Sequence, residues 1–92
     1  MLGREGQELE STVNRLLAQG YRKFIFDLAG LTHIDSTGIG RCIASLNLIM
    51  QSKGKLHMAA APVPVREGFR VTRLDRVFRF FDDVAGAQSA LG

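Results

Sequence analysis

Short apolar runs alternate with helical periodicities along this chain, and the alternation limits the possible fold more than any other feature. Apolar residues first recur at helical spacing, at Leu9, Val13, Leu16 and Leu17. Residues 23–28 then form an apolar run of strand length, rich in β-branched and aromatic side chains. Strands that alternate with helices in this way predict parallel strands joined by right-handed crossovers. The pattern therefore predicts a small α/β layer of mostly parallel strands covered by helices.

The predicted order is helix, strand, helix, strand, helix, strand, helix, in one domain spanning residues 1–92. The second helix can be capped by Asp35, Ser36 or Thr37, and Gly54 ends it. Three strands are few for such a sheet, so we expect an open edge and a dimer or larger assembly through it. The later elements are predicted as a strand at 55–61, a helix at 65–72, a strand at 77–81 and a helix at 82–91.

Composition and charge restrict the compartment and the classes of partner that we expect for this protein. Cys42 is the only cysteine, so an internal disulfide is impossible, and no apolar run approaches the roughly 18 residues of a membrane span. The N-terminus lacks the apolar core of a signal peptide, which makes the cytoplasm the expected compartment. The net charge is +3, but acidic residues interrupt the densest group of arginines. We therefore expect neither membrane nor nucleic acid as a partner.

The densest cluster of special residues lies where the second helix begins: Asp35, Ser36, Thr37, Gly38, Ile39 and Gly40. Three good capping residues in a row are typical of a helix start. Capping does not explain two glycines in the first turns, each of which costs about 1 kcal/mol relative to alanine. A phosphate on Ser36 would suit the positive end of the helix dipole and would add roughly −1.5 to −2 charge. The glycines would let another protein approach the hydroxyl.

This run resembles the Asp-Ser-Ser/Thr-Gly-Leu/Ile-Gly hallmark of STAS-domain anti-sigma-factor antagonists. A weaker similarity continues through residues 53–56, 61–62 and 74–78. The resemblance implies that Ser36 is the phosphorylation site, that Asp35 positions its hydroxyl, and that residues 35–40 bind the partner. It also implies two further strands before the first helix, which this chain is expected to lack.

The resemblance implies a bacterial partner switch. The unphosphorylated antagonist binds an anti-sigma factor that is also a serine kinase, phosphorylation of Ser36 releases it, and a serine phosphatase reverses the modification. The chain itself is then a substrate and not an enzyme, with no catalytic residue, cofactor or metal. The alternative within the same fold is a non-phosphorylated STAS scaffold in a transporter-associated, lipid-transport or stressosome complex.

Enzymatic interpretations fit the sequence less well. An aspartic protease dyad needs glycine two residues after the aspartate, whereas Gly38 comes three residues after Asp35. Cys42 lies on the apolar stripe of the second helix, where a free cysteine usually packs as a small hydrophobe. His33 and His57 are expected to be surface or packing residues, and no glycine-rich phosphate loop with lysine is present.

Overall fold

A computed structural model describes residues 3–91 of the chain and shows helices alternating with strands. The expected domain, 1–92, extends to Met1, Leu2 and Gly92, which lie outside the described residues. The elements are α1 (Gly3–Ala18), β1 (Lys23–Asp27), α2 (Ser36–Gln51), β2 (Lys55–Ala59), α3 (Val63–Val71), a 3-10 turn (Leu74–Arg76), β3 (Arg79–Phe81) and α4 (Val84–Leu91).

The three strands form one parallel sheet in the order β1-β2-β3, which confirms the predicted α/β layer. Lys23 lies beside Lys55 in the β1–β2 ladder, and His57 lies beside Arg79 in the β2–β3 ladder. The middle strand β2 is buried over all but its first residue, as expected of a strand with helices on both faces. The edge strands of the sheet are β1 and β3.

Helix α1 packs along α2 on one face of the sheet. Its predicted apolar stripe is confirmed, with Val13 and Leu17 buried. Gly20 has a φ of 101°, a left-handed conformation that glycine adopts without strain, and it redirects the chain into β1. Glu10 and Arg41 join the two helices through an ion pair of 2.9 Å.

Phe69 holds α3 against the third strand. Its side chain is fully buried, and its ring meets Phe78 and Phe80 edge to face at centroid distances of 5.3 and 5.2 Å. Such aromatic pairs contribute about 0.5–1.5 kcal/mol each beyond the area they bury. The cluster therefore fixes the position of α3, which in turn supports the loop before α2.

The starts of α3, β3 and α4 differ from those predicted from the sequence. Helix α3 starts two residues early, because Pro64 fits the first helical turn, where its missing N–H has no intrahelical partner. Strand β3 is short, because a left-handed Arg73 leads into the 3-10 turn. Asp83 accepts a hydrogen bond from the Gly86 N–H at 2.7 Å, so α4 starts after it. Of the helices described, none is both long and apolar enough to cross a membrane.

Candidate functional site

The segment around Ser36 lies beyond the carboxyl end of β1, where ligands and partners of parallel α/β sheets commonly bind. The connection from β1 is held by local hydrogen bonds. Leu28 donates its N–H to Ala59 O at 2.9 Å, and the Asp27 carboxylate accepts from the Ala29 N–H at 3.0 Å. Leu31 then closes a turn by donating to Leu28 O at 3.0 Å. The chain therefore reaches α2 through an ordered turn.

Asp35 is the N-cap of α2. Its backbone is extended, with φ −103° and ψ −179°, and its carboxylate oxygen accepts a hydrogen bond from the Gly38 N–H at 2.8 Å. Its carbonyl accepts the first helical bond, from Ile39 N at 2.9 Å. Ser36 is the first residue of the helix, so of the three candidate caps the structure selects Asp35 and not Ser36 or Thr37. Among the side chains described, those of residues 9–91, that hydroxyl forms no hydrogen bond, which leaves it available to a partner.

Burial divides the segment into two groups. Gly38 and Ile39 are buried and belong to the packing of α2. The four others are exposed: Asp35, Ser36, Thr37 and Gly40. A Cβ atom placed on Gly40 would have nothing within 4 Å apart from its chain neighbours and its own helix backbone, so a partner can approach closely there, whereas Gly38 is buried. The surface that a partner can reach therefore centres on Ser36.

Helix α3 packs against this segment through the contact of Gly68 with Ile34. A Cβ atom on Gly68 would lie 2.8 Å from the Ile34 Cγ2 atom, closer than side chains approach one another, so glycine permits this contact. Ile39 also borders Gly68, at 3.9 Å from the same Cβ position. Ile34 directly precedes the cap, so the contact with Gly68 sets the position of Asp35 and Ser36.

An apolar cavity of about 360 Å³ lies between this segment and β1. Its wall includes Ile25, Phe26, Leu31, Ile34 and Gly38, and Arg41 and Asp27 supply its charged groups. Sequence reasoning did not predict this cavity. The signal that could have found it is the apolar side chain of Leu31 between the strand and the capping residues.

The cysteine and histidines have structural surroundings. Cys42 is buried, which confirms that it packs as a small hydrophobe, and burial raises the pKa of its thiol from 9.0 to about 11. His57 is buried with its Nδ1 atom 3.1 Å from Ala87 O, and its ring lies 4.7 Å from the Phe81 ring. His33 is exposed, with Nδ1 3.1 Å from the Thr32 hydroxyl. Because His57 lies in β2 and Ala87 in α4, the contact between them joins these two elements.

The structure gathers arginines that are spaced along the sequence. A groove of about 580 Å³ between α3 and β3 is lined by four of them, together with Glu67 and Asp75. Two guanidinium groups lie over phenylalanine rings, Arg66 over Phe80 at 5.4 Å and Arg79 over Phe81 at 5.6 Å. The acidic side chains interrupt the positive surface, as the sequence predicted. The four arginines are Arg66, Arg70, Arg76 and Arg79.

Two solved structures share this fold. One is the crystal structure of a candidate anti-sigma factor antagonist, TM1081, from Thermotoga maritima, 24% identical with a TM-score of 0.87 over 96% of this chain and 76% of that chain. The other is an NMR structure of TM1081, 25% identical with a TM-score of 0.87 over 99% of this chain and 74% of that chain. No curated protein is significantly similar in sequence.

The family comparison covers the site as well as the fold. The profile of the STAS domain matches residues 5–87, a stretch that contains α2 with its cap and all three strands. The parallel sheet, the cap at Asp35 and the exposed Ser36 all lie inside this match. The chain belongs to the STAS domain family.

Proposed function

We propose that this protein is an anti-sigma-factor antagonist that works by partner switching, with Ser36 as its phosphorylation site. The observation that carries the proposal is the position of Ser36: it is exposed, it is the first residue of α2, and the cap beside it is supplied by Asp35. The likeness to TM1081, which is described as a candidate antagonist of this kind, supports the same conclusion. The protein then acts in the cytoplasm as a substrate and a ligand, and not as an enzyme.

Phosphorylation at this position changes charge more than structure. The first-turn N–H groups of a helix and its dipole favour an anion there, so the phosphoryl group does not unfold α2. From Asp27 to Gly40 the chain carries two carboxylates and neither lysine nor arginine. Within this segment no guanidinium or ammonium group neutralises the added charge of roughly −1.5 to −2, and the next residue, Arg41, is already paired with Glu10 at 2.9 Å. A partner bound over Ser36 would therefore meet a strongly negative surface and dissociate.

The partners follow from the resemblance to anti-sigma-factor antagonists. The unmodified surface binds an anti-sigma factor that is also a serine kinase, and the exposed Gly40 lets the kinase approach closely. A serine phosphatase returns the protein to its binding form. The alternative is a non-phosphorylated STAS scaffold in a transporter-associated, lipid-transport or stressosome complex.

The test is phosphoryl transfer measured by intact mass. The protein is incubated with ATP and an anti-sigma factor kinase from the same organism, and we expect one phosphate on the wild type and none on Ser36→Ala. Thr37→Ala is the matched control, since its hydroxyl is exposed one residue away, and it should accept phosphate normally. Transfer that persists in Ser36→Ala contradicts the assignment, and an absence of transfer with tight binding favours the scaffold.

The electrostatic part of the proposal has its own test. Ser36→Asp places a carboxylate at the first helical residue, where an acidic side chain is favourable by about 0.3–1 kcal/mol. We expect this variant to fold as well as the wild type but to bind the anti-sigma factor more weakly. Calorimetric binding equal to that of the wild type would refute a switch based on charge.

A further inference from the structure

The groove between α3 and β3 has guanidinium groups on both faces of strand β3. Phe80 and Phe81 are consecutive residues of that strand, so their rings project from opposite faces of the sheet. On the α3 face, the Arg66 guanidinium lies 5.4 Å from the centre of the Phe80 ring. On the α4 face, the Arg79 guanidinium lies 5.6 Å from the centre of the Phe81 ring. Stacking on an aromatic face restricts an arginine side chain, so less freedom is lost when that side chain binds a ligand.

The protein neutralises this positive charge only in part. Four arginines and two carboxylates line the groove, which leaves it a net charge of +2. Arg70 is paired with Glu67, to which its Nη2 atom donates a hydrogen bond at 3.0 Å. Among the side chains of residues 9–91, Arg76 and Arg79 form no ion pair. All four arginines are exposed, so a negatively charged ligand can reach them.

The arrangement of these charges fits an extended acidic chain better than a compact anion. Arg66 and Arg79 are stacked on opposite faces of β3, so they do not converge on a single phosphate group. Side chains of an extended chain alternate between two faces, so consecutive acidic residues beside β3 would meet the two arginines in turn. Among the described side chains, the carboxylate paired with Arg66 is that of the fully exposed Asp82, at 4.0 Å, and such a pair contributes little. Arginine suits a carboxylate ligand, because a guanidinium group can donate two parallel hydrogen bonds to it.

Nucleic acid, another extended polyanion, fits the groove less well. Proteins that bind single strands stack the bases on aromatic rings, whereas the rings of Phe80 and Phe81 are already covered by arginines. Glu67 and Asp75 would also repel closely spaced phosphates.

The size of the groove sets the length of the segment that it can hold. Its volume is about 580 Å³, and α3 forms its wall from Val63 to Arg70, roughly 10 Å at the rise of an α-helix. That length corresponds to about three residues of extended chain. We propose that the groove is a second binding site, which holds an extended acidic segment of a partner protein.

This site is separate from the surface around Ser36. Four residues at helical spacing form the face of α3 that lines the groove: Val63, Arg66, Glu67 and Arg70. Gly68, which contacts Ile34 before the cap of α2, lies roughly 150° around the helix axis from that face. A partner can therefore occupy the groove while Ser36 stays accessible, and binding there does not depend on phosphorylation.

An NMR titration tests the proposal. The peptide Gly-Glu-Glu-Glu-Gly, with both termini blocked, is added to isotopically labelled protein. We expect the amide signals of residues 63–70 and 76–81 to shift, while those of residues 35–40 stay in place. The neutral peptide Gly-Gln-Gln-Gln-Gly should bind at least about tenfold more weakly. Shifts confined to residues 35–40, equal binding of the two peptides, or no shift at millimolar peptide overturns the proposal.

Removal of charge tests which side chains bind the peptide. Arg66→Ala combined with Arg79→Ala should weaken binding of the acidic peptide about tenfold. Arg15→Ala combined with Lys23→Ala is the matched control, because both side chains are exposed outside the groove and the loss of charge is the same. Equal weakening by the two double variants would show that only net charge matters and would refute the site. Tighter binding of inorganic phosphate, or of a thymidine tetranucleotide with the same charge as the peptide, would refute an acidic protein segment as the occupant.

Discussion

Replacing Asp35 with alanine should destabilise the protein, whereas replacing Ser36 with alanine should not. Asp35→Ala removes the 2.8 Å hydrogen bond to the Gly38 N–H, and the loss of such a cap costs typically about 1 kcal/mol and at most about 2. The lost carboxylate charge at the helix N-terminus adds about 0.3–1 kcal/mol. We therefore expect the free energy of unfolding to fall by about 1–2 kcal/mol. Ser36 is exposed and is not the cap, so its variant should stay within about 0.5 kcal/mol of the wild type.

Urea denaturation followed by circular dichroism measures both values, and a thermal scan gives a second reading. For a domain of this size 1 kcal/mol corresponds to a shift of about 4–8 °C in Tm. Asp35→Asn is the matched control, because asparagine caps as well as aspartate and loses only the charge. It should recover most of the stability lost in Asp35→Ala. If Ser36→Ala lowers the free energy of unfolding as much as Asp35→Ala does, the cap assignment is refuted.

Three further predictions concern the core and its supports. Ser45→Ala should raise the free energy of unfolding by about 1 kcal/mol in urea denaturation, because the buried Ser45 hydroxyl has no hydrogen-bond partner among the described residues. A lower free energy of unfolding in this variant would contradict the absence of a hydrogen bond. Stability should fall by about 2 kcal/mol between pH 9 and pH 11, because the unfolded Cys42 thiol ionises from pH 9 upward while burial keeps the folded thiol mostly protonated until its pKa of about 11. Subtracting the pH profile of Cys42→Ala isolates this loss, and identical profiles contradict it. Gly68→Ala should destabilise the protein by about 1–3 kcal/mol, because the added methyl group displaces Ile34. Gly40→Ala should leave stability nearly unchanged, and thermal scans of the two variants measure the difference.

The alternation of patterns was enough to predict the fold, but not which face of α2 is buried. Apolar residues at helical spacing along α2 include Met50, which is 60% exposed, and pass over Ser45, which is fully buried. A serine between apolar neighbours gives no hydrophobic signal. The apolar spacing alone therefore predicts a buried face that is shifted toward Met50. Only the packing of α1 and β2 against α2 selects the face that contains Cys42, Ser45 and Ile49.

The start of α2 could be located from sequence, but the residue that caps it could not. Three consecutive capping residues are each able to start a helix, and propensity does not choose among them. The choice depends on where the backbone changes from extended to helical, and the contact of Ile34 with Gly68, distant in sequence, fixes that point at Asp35. Likewise, the sequence treats Gly38 and Gly40 alike, although only Gly40 is exposed.

In the proposed switch, the separation of the cap from the phosphate acceptor explains how phosphorylation can act without unfolding the protein. A serine that caps a helix holds a backbone N–H with its hydroxyl oxygen, so phosphorylation would alter the bond that starts the helix. Here Asp35 makes that bond, and the hydroxyl of Ser36 has no structural task within the described residues. Adding a phosphate therefore leaves the free energy of unfolding nearly unchanged and appears only in the charge that a partner meets. In the proposed switch the surface charge carries the signal, and the fold holds Ser36 in one position with or without the phosphate.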